Sequence, residues 1–281
     1  MGVTWLHNVV YIICEKLSTI RRFDTTTHAQ LTDINIPDLK DPKDIAACKQ
    51  TSQVYIADSE CVWRMSSDGT AVERWLTTPI PSRQFSPHTL SVTASRLLVT
   101  SYAPNELMQF DTNGIEQRRV SLLEGKAPYH AVESPAGKLV VVHSNVQQKE
   151  WQVSEVDTND QVLPRFSKSL NWPCHIAVDS QGNVFVADTN NSRILLLDAQ
   201  LVVFRVIIDK FLLNIKNPRR LCYVKETGQL LVGLDYRVAM FDLLQVCHMS
   251  QLTLSKGIFH ILKSYVSLKL WGHSGNSIDR I

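Results

Sequence analysis

Trp172-Pro-Cys-His-Ile-Ala-Val-Asp-Ser-Gln-Gly-Asn-Val-Phe-Val-Ala-Asp-Thr-Asn-Asn-Ser-Arg-Ile-Leu-Leu-Leu-Asp198 holds three short apolar runs parted by polar, turn-forming residues. Runs rich in Val, Ile, Leu and Phe, bounded by Gly, Asn, Asp and Ser, read as β-strands joined by tight turns. Gln181-Gly182-Asn183 supplies the first turn, because Gly and Asn accept the positive φ that a short hairpin requires.

Outward from this stretch the same grammar recurs. Pro42, Pro87, Pro128, Pro173 and Pro218 follow one another at intervals of 45, 41, 45 and 45 residues. About eleven residues after each lies a β-prone run: Val54 to Asp58, Leu97 to Ser101, Leu139 to His143, Val184 to Asp188, and Leu230 to Val232. Val10 to Cys14 is a sixth copy at the front. A third mark closes each unit, an apolar residue followed by Asp: Phe23-Asp24, Phe110-Asp111, Val156-Asp157, Leu197-Asp198 and Phe241-Asp242, with Met65-Ser66 the degenerate member. Three independent marks that keep one period near 44 residues define a repeat architecture.

Each unit reads as four strands. Ala136-Gly137 and Thr227-Gly228 also join first strands to second, while Asp68-Gly69 and Asn113-Gly114 join third to fourth. The middle strands are continuous apolar runs, as expected of sheets covered on both faces. A lone sheet of that kind cannot hide its apolar surface, and radial stacking solves the problem. No unit carries two amphipathic stretches of helical length, so a helical solenoid fails. The expectation is an all-β, six-bladed β-propeller of four-stranded antiparallel blades, at about residues 2–40, 41–85, 86–126, 127–171, 172–216 and 217–255. Gly2 to Leu6 stands where the first blade's inner strand belongs, without a leading proline, so modules preceding this stretch are envisaged. Leu243 to Ser255 is expected to supply the last outer strand. Residues 256–281 lie outside the repeat, and Ile258, Ile261, Leu262, Tyr265, Val266 and Lys269 have helix-like spacing.

With no Trp-Asp dipeptide and no Gly-Gly pair, WD40 and kelch readings are disfavoured. The stretch 172–198 instead resembles the NHL repeat, and Pro42-Lys-Asp-Ile-Ala-Ala with Val54-Tyr-Ile-Ala-Asp58 is similar. By spacing the resemblance covers roughly residues 2 to 246. It implies the kind of propeller found at the C-terminal end of animal tripartite-motif proteins, where it recruits targets for ubiquitin transfer. In that family an Asp and an Arg placed like Asp188 and Arg193 tie a blade's second and third strands together.

Composition narrows the function classes. The formal net charge of +2 over 281 residues argues against a protein dominated by phosphate contacts. Cys14, Cys48, Cys61, Cys174, Cys222 and Cys247 form no C-x-x-C pair, so a RING-type zinc site is not encoded here. They read as reduced thiols of a cytoplasmic protein. No apolar run reaches the roughly 18 residues of a membrane span, and Met1 to Ile20 lacks the layout of a signal peptide. No G-x-S-x-G, phosphate-cradling Gly loop or H-E-x-x-H is present, and no carboxylate pair suggests acid–base catalysis. The expectation is a binding protein without catalytic residues, cofactor or metal.

The two positions after each repeat proline should open an inner strand beside the central channel. They read Lys43-Asp44, His88-Thr89, Tyr129-His130, Cys174-His175 and Arg219-Arg220. Lys43, His88, Tyr129, His130, Trp172, His175, Arg219 and Arg220 are therefore the candidate binding ring, with Lys126, Lys149, Lys216 and Arg237 in nearby loops. Cations and aromatic planes suit an acidic protein or peptide partner, or alternatively single-stranded RNA, although Asp41 and Asp44 dilute the positive field. The same strand starts also read simply as polar residues bordering a wet channel. A third reading takes His88, His130 and His175 as three imidazoles around one metal, as in a zinc-dependent peptidyl-hydroxyglycine lyase, a related propeller with metal ligands near its axis. Their offsets from the preceding proline differ, one residue for His88 and two for the others, so their side chains need not share a face.

Overall fold

A computed structural model describes residues 1–76, 85–93, 96–102, 105–122, 126–145, 150–157, 159–202, 204–210, 215–243 and 268–272. Its 24 strands form six four-stranded antiparallel sheets, each hydrogen-bonded in sequence order. Blade one is β1 (Gly2–Leu6), β2 (Val9–Ile13), β3 (Thr19–Asp24) and β4 (Gln30–Asn35). Blade two is β5 (Asp44–Cys48), β6 (Gln53–Ala57), β7 (Val62–Ser66) and β8 (Val72–Leu76). Blade three is β9 (Pro87–Val92), β10 (Arg96–Tyr102), β11 (Asn105–Asp111) and β12 (Glu116–Ser121). Blade four is β13 (Lys126–Glu133), β14 (Leu139–Asn145), β15 (Glu150–Val156) and β16 (Val162–Phe166). Blade five is β17 (Pro173–Val178), β18 (Val184–Asp188), β19 (Arg193–Leu197) and β20 (Phe204–Asp209). Blade six is β21 (Arg220–Val224), β22 (Gln229–Gly233), β23 (Arg237–Asp242) and β24 (Leu268–Gly272).

The apolar second strands are buried on both faces, and what they pack against is the neighbouring blade. Six hydrophobic clusters result, one for each pair of adjacent blades. Burial of large side chains on both sheet faces is the main stabilising term, which is why no blade stands alone. Ring closure uses the same device. Val3, Val10, Ile12 and Phe23 of blade one pack on Val224, Leu231, Val238 and Met240 of blade six. Among the described residues each of these two blades hydrogen-bonds its own strands, and none is shared between them.

Turn chemistry follows the sequence. Gly69, Gly114, Gly137, Gly182 and Gly228 all have positive φ. At Gly69 space as well as φ demands glycine, since a Cβ there would lie 2.4 Å from Ile34 Cδ1. The aspartates ending the third strands act through Asx turns: Asp111 Oδ1 accepts the N–H groups of Asn113 and Ile115, and Asp157 Oδ1 those of Asn159 and Gln161.

The last blade departs from the expected span. Its fourth strand is β24, paired with β23 from Arg237↔Gly272 to Phe241↔Leu268, and not a strand within Leu243 to Ser255. Residues 244–267, with Cys247 and most of the helix-like spacing, lie outside the described residues. Among the described residues no helix is long and apolar enough to cross a membrane. Five cysteines are described, none of them in a disulfide: Cys14, Cys48, Cys61 and Cys174 are buried and Cys222 is half-buried.

Candidate functional site

The inner strands line the axis with one edge unpaired, and their backbone N–H groups need acceptors. At one position of the ring, side chains supply them. Asp44, Thr89, His130, His175 and Arg220 occupy equivalent places on β5, β9, β13, β17 and β21. Asp44 Oδ2 accepts the Leu90 N–H of the next blade at 2.9 Å. His130 Nδ1 accepts the Ile176 N–H and His175 Nδ1 the Leu221 N–H, each at 3.3 Å. The rule is the same each time: one blade's ring residue satisfies the following residue of the next blade.

The remaining atoms meet around the axis. Arg220 Nε donates to Asp44 Oδ1 at 3.0 Å and Arg220 Nη2 to the Lys43 carbonyl at 2.8 Å. His175 Nε2 faces Asp44 Oδ2 at 3.4 Å, and His130 Nε2 donates to the Leu90 carbonyl at 3.2 Å. The two imidazoles stack with centroids 3.5 Å apart. Asp44, His130, His175 and Arg220 are all buried. Burial alone would raise the Asp44 carboxyl, but Arg220 and then His175 outweigh it and hold it well below the usual carboxylate range. Burial pushes His130 well below the ordinary imidazole value, with the neighbouring His175 adding to it. Burial likewise lowers His175, against the pull of Asp44. Each Nδ1 accepts a backbone N–H and so carries no proton, which places the imidazole proton on Nε2 in both histidines. Beyond this plug the channel is a cavity of about 510 Å³ whose walls include Trp5, Ser91, Glu133, Ile176, Cys222 and Tyr223.

The three-histidine arrangement does not form. Pro87-His88-Thr89, Pro128-Tyr129-His130 and Pro173-Cys174-His175 each carry a register shift, so His88 corresponds to Tyr129 and Cys174, and Thr89 to the two histidines. Asp44 takes the third place instead: Asp44, His130 and His175 each offer a ligand atom within 4.8 Å of the others. This donor set does not suit a metal ion. Each Nδ1 lone pair holds a backbone N–H, each Nε2 proton has an acceptor, and Arg220 already neutralises the carboxylate. Coordination would leave buried N–H groups orphaned beside a guanidinium.

The candidate ring thus divides. His130, His175 and Arg220 are buried and bonded inward, whereas Lys43, His88, Tyr129 and Arg219 are half-buried and Trp172 is exposed. Lys43 pairs with Asp41. Tyr129 packs edge-on against Trp151 at 4.8 Å. His88 is driven down to about 3, first by burial and then by Arg220. The side chains of Lys126 and Lys149 lie outside the described set.

A surface cluster forms where the blade-five entry loop, the blade-six entry and the β22–β23 loop meet. Trp172 lies in the left-handed region, at φ 53°, directly before Pro173. Asp41 before Pro42 and Asn217 before Pro218 do the same, at φ 48° and 49°. For non-glycine residues this conformation costs about 1–2 kcal/mol and persists only where surroundings enforce it. Here the Trp172 carbonyl accepts the Thr189 N–H, and Asp188 accepts the Asn171 N–H. Arg219 lies over the Trp172 ring at 5.9 Å and donates to Asp235 at 2.8 Å. Arg219 and Asp235 also line a pocket of about 420 Å³ with Cys14, Glu15, Leu17 and Tyr236, and Tyr236 is 78% exposed. Sequence reasoning missed Leu17, Asp235 and Tyr236; their place in loops between second and third strands was the signal.

Asp188 ties its blade together: it is fully buried and receives Arg193 Nε at 2.6 Å and Asn191 Nδ2 at 2.8 Å. In blade two Trp63 replaces the arginine, its Nε1 donating to Asp58 at 2.6 Å.

These features define the class: a six-bladed β-propeller whose axial polar residues are consumed in holding the ring. Comparison with known families adds that residues 170–195, the start of blade five, match the NHL repeat, so this propeller carries an NHL repeat. The chain resembles a structure from the nidogen/laminin complex, with 15% identity, a TM-score of 0.66 and coverage of 84% of this chain and 89% of that one. Virginiamycin B lyase from Staphylococcus aureus aligns at 12% identity and TM-score 0.63, over 84% and 77%. Hydrazine synthase of Kuenenia stuttgartiensis aligns at 12% and 0.62, over 100% and 94%. At such identities the likeness establishes the fold alone. No curated protein sequence matches the chain.

Proposed function

We propose that this propeller binds a protein or peptide partner through the Trp172–Arg219–Tyr236 face and performs no catalysis. The observation that carries the reading is Trp172, displayed in a strained conformation with Arg219 over its ring, where Arg219 also lines a pocket with Tyr236. Exposed aromatic residues with a neighbouring arginine have the composition of interface anchors. The NHL repeat supports the same reading, as does the fold's appearance in a nidogen/laminin complex. The finer proposal is that the chain recruits substrates in a cytoplasmic, tripartite-motif-like ubiquitin ligase system, with ligase chemistry residing in another module.

Affinity capture with the wild-type chain and with Trp172→Ala/Tyr236→Ala tests this. Specific proteins retained by the first and lost with the second support it, provided the variant keeps its unfolding midpoint. Ubiquitylation of a retained protein should rise on expression of the chain and fall with the variant. Identical captures, chaperones alone, or salt-steep binding of single-stranded RNA in place of protein would overturn it.

A further inference from the structure

Blade six differs from the rest in how its outer strand arrives. In blades one to five the third and fourth strands are joined by four to six residues, as between Asp24 and Gln30 or Leu197 and Phe204. Between Asp242 and Leu268 there are 25. A short turn can deliver only its own strand to the edge. A connection of 25 residues has an upper reach of roughly 80 Å, enough to deliver the strand to another molecule. We infer that the outer edge of β23 is a strand-exchange site, open to β24 of a second copy of this chain.

The packing permits the exchange. Val238, Ala239, Met240 and Phe241 of β23 are buried, and Val238 and Met240 belong to the cluster that closes the ring. Val238 and Met240 pack on blade one, and Ala239 and Phe241 on blade five. Without an outer strand, β23 would present the unpaired edge that chains complete with whatever strand is available. An identical β24 from a second copy reproduces the register, Arg237↔Gly272 through Phe241↔Leu268, bond for bond. Closed monomer and reciprocally exchanged dimer therefore contain the same strand pairs, and concentration chooses between them. Among flexible connections the self-pairing advantage falls with the three-halves power of length, about tenfold between five residues and 25. The consequence reaches beyond the proposed partner face: a twofold dimer joined at the rim carries two such faces and binds multivalent targets with avidity.

Single cysteines at one opposed pair report the exchange. Chains carrying Arg237→Cys are mixed with chains carrying Gly272→Cys, oxidised mildly, and run on a non-reducing gel against a wild-type mixture. A disulfide-linked heterodimer, increasing with concentration, is expected. It should fall at least tenfold when residues 246–265 are deleted from both chains, leaving a five-residue connection. The doubly substituted chain should close its disulfide internally. If that internal bond forms and the mixture gives no heterodimer above the wild-type background, exchange is refuted. If neither forms, β24 does not occupy this edge and the inference falls with it. Neither outcome bears on the Trp172 face, which is tested separately.

Discussion

Lowering the pH should weaken this propeller well before its carboxylates titrate, and His130→Gln should remove a defined part of that loss. An unfolded imidazole titrates near 6.5, whereas His130 stays neutral in the folded ring because burial and then His175 depress it. A depressed histidine contributes stability that is fully present above the unfolded value and is lost as pH falls, because the unfolded chain gains protons that the folded one does not. For an imidazole still neutral at pH 5, the loss between pH 7 and pH 5 is about 2 kcal/mol. His175, lowered by burial, and His88, down to about 3, add to the wild-type slope in the same direction. Asp44 contributes nothing in this window, since Arg220 and His175 overcome its burial and keep it ionised. Glutamine can still accept the Ile176 N–H and donate to the Leu90 carbonyl, so His130→Gln tests titration more than packing. Urea unfolding of both proteins at pH 7 and pH 5 gives four free energies. The wild-type loss should exceed the variant's, by at most about 2 kcal/mol. Equal losses, or a wild-type protein as stable at pH 5 as at pH 7, would refute the assignment of His130 as a buried neutral group.

Arg220→Met should cost about 3–5 kcal/mol by leaving Asp44 buried without its counter-charge, and Asp44→Asn/Arg220→Met should recover most of it. Denaturant midpoints decide, and a double variant as unstable as the single would show that the pair is not the centre of the plug. Gly69→Ala should cost about 1–3 kcal/mol, since the turn has φ 81° and the new methyl would meet Ile34; an unchanged melting midpoint would mean that the turn relaxes freely. Trp172→Gly should keep stability within about 1 kcal/mol while abolishing partner capture, because glycine tolerates the left-handed backbone but offers no ring. Equal capture would remove Trp172 as an anchor.

The axial plug was legible only in part. His130, His175 and Arg220 stood out as polar residues at fixed offsets from the repeat proline, yet they looked like a ring facing a ligand. Their partners come from other blades, with Arg220 reaching Asp44 across 176 positions of sequence. Asp44 looked like a dilution of positive charge and proves to be the acceptor that the cluster is built around. The differing offsets from Pro87, Pro128 and Pro173, visible in the sequence, set His88 apart from His130 and His175; what no periodicity reports is the bulged residue that follows each of these prolines. The last outer strand was misplaced for a related reason: β24 follows a gap longer than half a repeat, and a period cannot register a strand that arrives late.

From its sequence alone the chain determined six units of four strands, the glycine turns between them and the apolar runs that must be covered. These are local, since period, turn chemistry and hydrophobicity act within some forty residues. Tertiary structure decided how the ring closes, which polar residues vanish into the axis, and that Trp172, Arg219 and Tyr236 meet on one surface. Each of those depends on residues brought together by the curvature of the closed ring, and curvature is a property of all six blades at once.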